Sequence, residues 1–250
     1  MGNFKIGIQL YSVRDKMEKS VEDTFKAIKE MGYDGVEFAG YYGKTAQEIK
    51  ELLNKYDLEC FAVHQGPDLF WNEGQSAYDY LKEIGARNCV IPGYDMEEYK
   101  NNWDETVKKF KKLSADMKEN GIQLMYHNHS FEFEKIDGEY IIDKLFNAVG
   151  TDAMMPEFDT CWIHCTGVDP IAYVKKYKNQ IKLIHLKDYI RNENGFKLVP
   201  VGYGTQNFPA LLDACECSGA DILIVEQDSS PDRDTLEASK MSVEYLRTII

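Results

Sequence analysis

No run of the ~18 to 20 apolar residues needed to cross a bilayer occurs in the 250-residue chain, so no segment reads as membrane-spanning. Basic residues are the minority, 29 Lys and Arg against 42 Asp and Glu, and a formal charge of −13 repels phosphate backbones and anionic lipid. Nucleic acid and membrane are therefore excluded as expected partners. The six cysteines (Cys60, Cys89, Cys161, Cys165, Cys215, Cys217) form no CxxC pair, which excludes a zinc ribbon or thioredoxin motif and leaves reduced, mostly buried thiols as the expectation. The opening MGNFKIGIQLYSV lacks the tripartite pattern of a cleavable signal, and a cytoplasmic location is expected. No low-complexity stretch, long linker or composition break divides the chain, so one domain over residues 1–250 is expected. What is present is core material: 44% hydrophobic residues, with 16 Tyr and 12 Phe, rule out disorder.

Short runs rich in Val, Ile and Phe alternate with amphipathic stretches charged at helical spacing. Strands are predicted at Lys5–Tyr11, Gly35–Gly40, Leu58–His64, Asn88–Gly93, Ile122–His129, Met154–Asp159, Ile181–Asp188 and Asp221–Asp228. The intervening helices carry their own punctuation. Ser20 opens one and Gly32 stops it, TAQE from Thr45 has the form of a capping box, and Pro170 suits a first helical position. A last helix is predicted from Thr235 to Ile250. Eight βα units in a chain of this length point to a (β/α)8 barrel, and no GxGxxG follows the first strand to favour a doubly wound open sheet.

Such a barrel places its chemistry where strands end at the C-terminal mouth. The residues there are Gln9 and Tyr11, Glu37, His64, His127 with His129, Asp159, His185 with Lys187, and Glu226 with Asp228. Four of the five histidines stand at strand ends, and the fifth, His164, follows Asp159 closely. Carboxylates and imidazoles converging in one cavity need a counter-charge, which a divalent cation supplies. Mixed oxygen and nitrogen donors with no thiolate suit one Mn, Mg, Co or Zn ion, with manganese expected first.

The runs YHNHSFEF (Tyr126–Phe133), FDTCW (Phe158–Trp162), HLKD (His185–Asp188) and VEQD (Val225–Asp228) resemble the sugar phosphate isomerase/epimerase family of xylose isomerase-like TIM barrels. The same superfamily holds endonuclease IV, inosose dehydratases and ketohexose 3-epimerases. The resemblance implies one divalent metal held by an acid from strand five, an Asp from strand six, a His from strand seven and a Glu from strand eight. Asp159, His185 and Glu226 match the last three. At strand five His127 stands where many relatives have Glu, which leaves His127 itself or Glu132 as fourth ligand, and Glu132 is the expected one. His127 and His129 share a strand face, with Tyr126 and Asn128 on the other. His129 is then the expected general acid/base, with Glu226 and Lys187 in the catalytic set.

The family chemistry is proton abstraction beside a carbonyl through a metal-stabilised enediolate, ending in isomerisation or epimerisation of a sugar or keto-sugar. Loss of a β-oxygen from the same intermediate would make a lyase of the inosose dehydratase or 3-keto-glycoside type. A non-catalytic sugar-binding subunit is the alternative from another class. An endonuclease IV-like trinuclear zinc centre is disfavoured by five histidines and the −13 charge. Glu37 and His64 are expected substrate contacts or proton shuttles, or else part of a buried network bracing the ligands, with His127 a substrate contact and Trp162 an apolar wall for a sugar ring. Lys187 is expected on a substrate hydroxyl, or paired with Asp188 or Asp228. VPVGYGTQNF (Val199–Phe208) resembles the family's glycine-rich seventh loop, with Tyr203 in place of an acid between the glycines, and leaves a phosphate site conceivable. Substrate choice is assigned to the loops Gln65–Gly74, Gly93–Asn102 and Ile190–Thr205. A homo-oligomer is expected from exposed barrel helices.

Overall fold

A computed structural model describes residues 4–193 and 195–250; positions 1–3 of the expected domain and position 194 of the expected substrate-choice loop Ile190–Thr205 lie outside them. Eight parallel strands close a barrel: β1 (Lys5–Gln9), β2 (Gly35–Ala39), β3 (Glu59–His64), β4 (Asn88–Ile91), β5 (Gln123–His127), β6 (Met154–Asp159), β7 (Leu183–Leu186) and β8 (Ile222–Val225). Each pairs with its sequence neighbours, and β1 with β8 completes the ring. This is the (β/α)8 barrel that the eight-unit pattern predicts.

Local chemistry sets the helix ends as anticipated. The Ser20 hydroxyl accepts from the Asp23 N–H, and Gly32 closes that helix with φ 96°. Thr45 and Glu48 form a reciprocal capping box. Pro170 occupies the first turn after Asp169, whose carboxylate caps Ile171. None of the described helices is long and apolar enough to cross a membrane.

Several predicted strands are shorter in the structure. After Gln9 the chain turns into a 3-10 helix, Leu10–Val13, so Tyr11 lies beyond β1. The run Ile181–Asp188 splits: β7 stops at Leu186, and Asp188–Asn192 forms an antiparallel hairpin with Gly195–Val199 over the mouth. Glu139 and Tyr140 likewise pair with Lys135 and Ile136, and the next helix begins at Ile141.

The barrel interior is stratified. Its lower layers are apolar, built by Phe61, Ala62, Val90, Met125, Leu183, Ile222 and Ile224. Period-two alternation then carries the same inward face upward, from Met125 to His127, from Leu183 through His185 to Lys187, and from Ile224 to Glu226. Phe61 fills the interior because β1 and β2 offer glycines there. A Cβ on Gly7 would lie 2.7 Å from its ring, and one on Gly35 would lie 2.4 Å from the Glu59 carbonyl oxygen. Gly35→Ala must therefore push β2 from β3, whereas Gly7→Ala meets only side chains. Urea denaturation is expected to show Gly35→Ala destabilised by ~2 to 3 kcal/mol and Gly7→Ala by less; equal stability of Gly35→Ala and wild type would overturn the close-approach argument.

Candidate active site and metal centre

Strand register assembles the polar layer. Gln9 aligns with Glu37, His127 with Glu157, Asp159 with His185, and His185 with Ile224, two residues below Glu226. Laterally aligned residues share a sheet face, so these side chains converge inside the mouth. Glu37, Glu157, Asp159 and His185 are wholly buried, and His127 and Glu226 nearly so.

The two ring nitrogens of His185 face different carboxylates. Its Nε2 lies 2.6 Å from Glu37 Oε2 and 3.2 Å from Glu157 Oε2, while Nδ1 lies 2.8 Å from Glu226 Oε2. His127 repeats this arrangement with Nδ1 3.2 Å from Glu157 Oε2 and Nε2 3.9 Å from Asp159 Oδ2. His64 stacks on His185 and places Nε2 2.8 Å from Glu157 and 3.2 Å from Glu37. Two imidazoles thus separate a deeper carboxylate pair, Glu37 and Glu157, from an outer group of Asp159, Glu226 and Asp228.

Lys187 serves the outer group. Its ammonium is buried 3.0 Å from Asp159 Oδ2, 3.1 Å from Glu226 Oε2 and 2.9 Å from Asp228 Oδ2. These are ion pairs without hydrogen-bond alignment. Burial opposes the charge, yet the three carboxylates hold the ammonium well above its ordinary range. Of the two carboxylates suggested as its partner, the ammonium meets Asp228.

Electrostatics show a demand for more positive charge. Burial and the Glu37 charge raise the Glu157 carboxyl. Burial works against a charged His64 ring, but Glu37 and Glu157 lift it to about 10. Burial first, then His185 and His64, push His127 well below the ordinary histidine range, so it stays neutral. One oxygen each of Glu37, Glu157 and Asp159 is buried with no hydrogen-bond donor. Two overlapping sets of four, His64–His127–Glu157–His185 and His127–Asp159–His185–Glu226, each bring one ligand atom per residue within 4.8 Å of all the others. Unsatisfied buried carboxylate oxygens beside neutral imidazole nitrogen fit a divalent cation.

Glu132 is not brought to this cluster. Its Oε1 accepts from the Tyr126 hydroxyl at 2.9 Å and its Oε2 from the His129 N–H at 2.7 Å, on the outward side of β5. Tyr126, on the face opposite His127 as predicted, draws the carboxylate there, so His127 supplies the strand-five position. Asn128 braces the same junction, accepting from the Asp159 N–H at 3.1 Å.

A cleft of about 560 Å³ opens above the cluster, lined by Tyr11, His64, His127, His129, Glu226 and Asp228 with backbone-rich positions Ala39, Gly40, Gln65 and Pro92. His129 stacks on Phe131, and its Nδ1 is buried without a hydrogen-bond partner. Burial, then the Lys187 charge, lower its ring to about 4, leaving it an unprotonated acceptor. Glu37 lies beneath the cleft and accepts from the Gln9 side-chain amide at 2.9 Å. Trp162 stacks on Phe196 of the hairpin and lies 5.0 Å from the Lys187 ammonium, at the rim of the mouth. His164 instead meets the Tyr189 hydroxyl at 3.3 Å.

The seventh loop is already committed. The Asp188 carboxylate accepts from the N–H groups of Tyr189, Gly202, Gly204, Thr205 and Gln206 at 2.7 to 3.3 Å. Amides that looked available to a phosphate are spent on the chain's own anion. A Cβ at Gly204 would lie 2.3 Å from that carboxylate, which explains the glycine.

Sequence reasoning passed over Glu157. Strand-end position marks only the last acid of MMPEFD, although Glu157 sits two residues before Asp159 and so on the same strand face.

Comparisons with known proteins agree with this architecture. An inosose dehydratase of Clostridium perfringens is 28% identical over 219 residues, spanning 76% of this chain and 73% of that protein. A sugar phosphate isomerase/epimerase from Parabacteroides distasonis superposes with a TM-score of 0.86 at 22% identity over 98% of both chains. A D-allulose 3-epimerase from Methylomonas superposes with a TM-score of 0.75 at 14% identity, covering 100% of this chain and 98% of that one. These two likenesses concern the fold. The family described as xylose isomerase-like TIM barrel matches residues 25–249, nearly the whole barrel, and the chain belongs to that family.

Proposed function

We propose that the protein is a divalent-metal-dependent sugar or keto-sugar isomerase/epimerase that removes a proton from the carbon beside a carbonyl. The observation that carries this reading is the buried carboxylate–imidazole cluster, with its unsatisfied oxygens, directly beneath an open cleft. A bound divalent ion, manganese before magnesium, cobalt or zinc, would supply positive charge against the oxyanion that develops as the proton leaves. His64, His127, Glu157 and His185, or His127, Asp159, His185 and Glu226, would hold it.

The chain's own groups supply the rest. His129 lines the cleft unprotonated, so its ring is the base that takes the proton. Asp228 and Glu226 line the same cleft and accept hydrogen bonds from sugar hydroxyls, which orients the ring. Lys187 neutralises part of their charge from below without entering the cleft. With the seventh-loop amides engaged by Asp188, an uncharged polyhydroxy ketone is the better match than a phosphate ester.

A second reading, a lyase of the inosose dehydratase type, is favoured by the curated relatives of that name. It uses the same proton abstraction and differs only in losing a β-hydroxyl afterwards. Manganese-loaded protein should be incubated with a keto-inositol and with ketohexoses in deuterium oxide and followed by NMR and mass spectrometry. Carbon-bound deuterium in an epimer or isomer is expected. A product lighter by one water, with enone absorbance, would select the lyase, and no deuterium in any candidate would overturn proton abstraction.

A further inference from the structure

We propose that Tyr11 selects the substrate by gripping the polyhydroxy part of a six-carbon keto-sugar beyond its carbonyl, and that Arg14 is the positioning residue for Tyr11. This rests on the sugar-converting reading above and assigns the part of the substrate that lies away from the reacting carbons.

Tyr11 belongs to the 3-10 helix Leu10–Val13 that follows β1. Its neighbours Leu10, Ser12 and Val13 are buried, whereas Tyr11 is 42% exposed and lines the cleft. Single exposed aromatics are common on protein surfaces. This one is unusual in how firmly it is held. Its N–H donates to Gln9 Oε1 at 3.1 Å, and the Gln9 amide donates in turn to Glu37 Oε2. Its carbonyl accepts from Arg14 Nη1 at 2.7 Å, and the same nitrogen donates to the Asp228 carbonyl at 3.0 Å. The Ser12 hydroxyl accepts from the Gln227 N–H at 3.0 Å. The turn after β1 is thereby stapled to the chain that leaves β8.

Arg14 also reaches the ring itself. Its guanidinium carbon lies 4.0 Å from the Tyr11 ring centroid, well inside the ~6 Å of a cation–π contact. One guanidinium therefore fixes both the backbone and the ring of Tyr11. The phenol hydroxyl has no hydrogen-bond partner among the described residues. A flat ring that ends in a free donor and acceptor suits a sugar, whose C–H face packs on the ring while a hydroxyl bonds to the phenol. Because the ring is fixed beforehand, binding loses little side-chain entropy.

Position decides which part of the sugar it meets. Gln9 touches the buried cluster through Glu37, and Tyr11 follows two residues later, beyond the end of β1. A carbonyl placed on the cluster leaves the more distant carbons for Tyr11. Trp162, the aromatic expected as an apolar wall, is stacked on Phe196 of the hairpin. Among the described residues that line the cleft, Tyr11 is the one phenyl-type ring.

The test uses the full chain loaded with Mn²⁺, a keto-inositol and a ketohexose as six-carbon probes, and dihydroxyacetone, whose carbons all adjoin its carbonyl. Binding is read by calorimetric titration and turnover by deuterium uptake. Tyr11→Ala is expected to weaken the tighter six-carbon probe at least ~10-fold and dihydroxyacetone by less than ~3-fold, with Tyr11→Phe between wild type and Tyr11→Ala. In turnover the loss falls on KM, with kcat held within ~3-fold. Arg14→Met should weaken the same probe ~5-fold, with partial recovery in Arg14→Lys. The double variant Tyr11→Ala/Arg14→Met should bind no more weakly than Tyr11→Ala alone. Equal losses for the two probe sizes, or six-carbon binding unchanged in Tyr11→Ala, would overturn the assignment, as would a wild type that binds neither six-carbon probe. Additive losses in the double variant would overturn the positioning role of Arg14. Tyr11-dependent binding without deuterium uptake supports the assignment and removes proton abstraction, whereas deuterium uptake indifferent to Tyr11→Ala does the reverse.

Discussion

Replacing His185 by alanine is expected to remove metal binding altogether and to lower turnover by at least ~10³-fold, because this ring belongs to both candidate ligand sets. The loss should not depend on which set holds the ion. A structural cost follows from the same geometry. The ring is wholly buried between Glu37 and Glu157 on one side and Glu226 on the other. Deleting it leaves those carboxylates facing one another across a cavity. Breaking a buried ion-pair network by removing one partner costs ~3 to 5 kcal/mol, which for a chain of this size corresponds to a melting point lower by about 10 °C. His164→Ala is the matched control, since His164 meets Tyr189 and belongs to neither set. Elemental analysis and thermal melting of the two variants check the claim. A His185→Ala protein that retains one equivalent of metal and most of its turnover would remove this cluster from consideration as the site.

The strand ends carried most of this site into the sequence in readable form, because a parallel barrel maps position along a strand onto depth in one cavity. His127, Asp159, His185 and Glu226 needed only the order of eight apolar runs to be placed together, and the period-two rule correctly set Tyr126 and His127 on opposite faces. Two kinds of information were less legible. Glu157 lies inside an apolar run whose last residue already supplied an acid, so stopping at the strand end concealed it, although parity was enough to find it. Asp188 and Lys187 are adjacent in HLKD yet serve unrelated ends, one capping the amides of the seventh loop and the other entering the outer carboxylates. That division depends on β7 ending at Leu186 and a hairpin beginning at Asp188, a break no composition signal marks. Glu132 shows the limit from the other direction. Spacing brought it near strand five, but two hydrogen-bond donors that spacing cannot reveal, the Tyr126 hydroxyl and the His129 N–H, fix it away from the carboxylate–imidazole cluster.

That placement gives Glu132→Gln an expected outcome opposite to that of a ligand substitution: metal content unchanged and stability at neutral and alkaline pH increased. Burial raises the Glu132 carboxyl from its ordinary 4.5 to about 7, more than the bonds from His129 and Tyr126 lower it. Between those two values the folded protein retains a proton that the unfolded chain has lost. The stability held by the protonated acid is therefore complete below about 4.5 and lost as pH rises through 7. Glutamine cannot ionise, and it can reproduce the contacts of the protonated acid. Its Oε1 accepts the His129 N–H, and its amide donates to the Tyr126 hydroxyl, with the Tyr99–Tyr126 bond of 2.9 Å reversing direction. The variant should match wild type near pH 4.5 and exceed it at pH 8 by up to ~3 kcal/mol. Urea denaturation of both proteins at the two pH values reads the difference directly, and comparison of the pair cancels the titration of every other group. A variant no more stable than wild type at pH 8 would show that the carboxylate is ionised in the fold at little cost. Loss of metal would return Glu132 to the ligand set, so the two measurements together separate a buried acid that supports strand five from one that binds the ion.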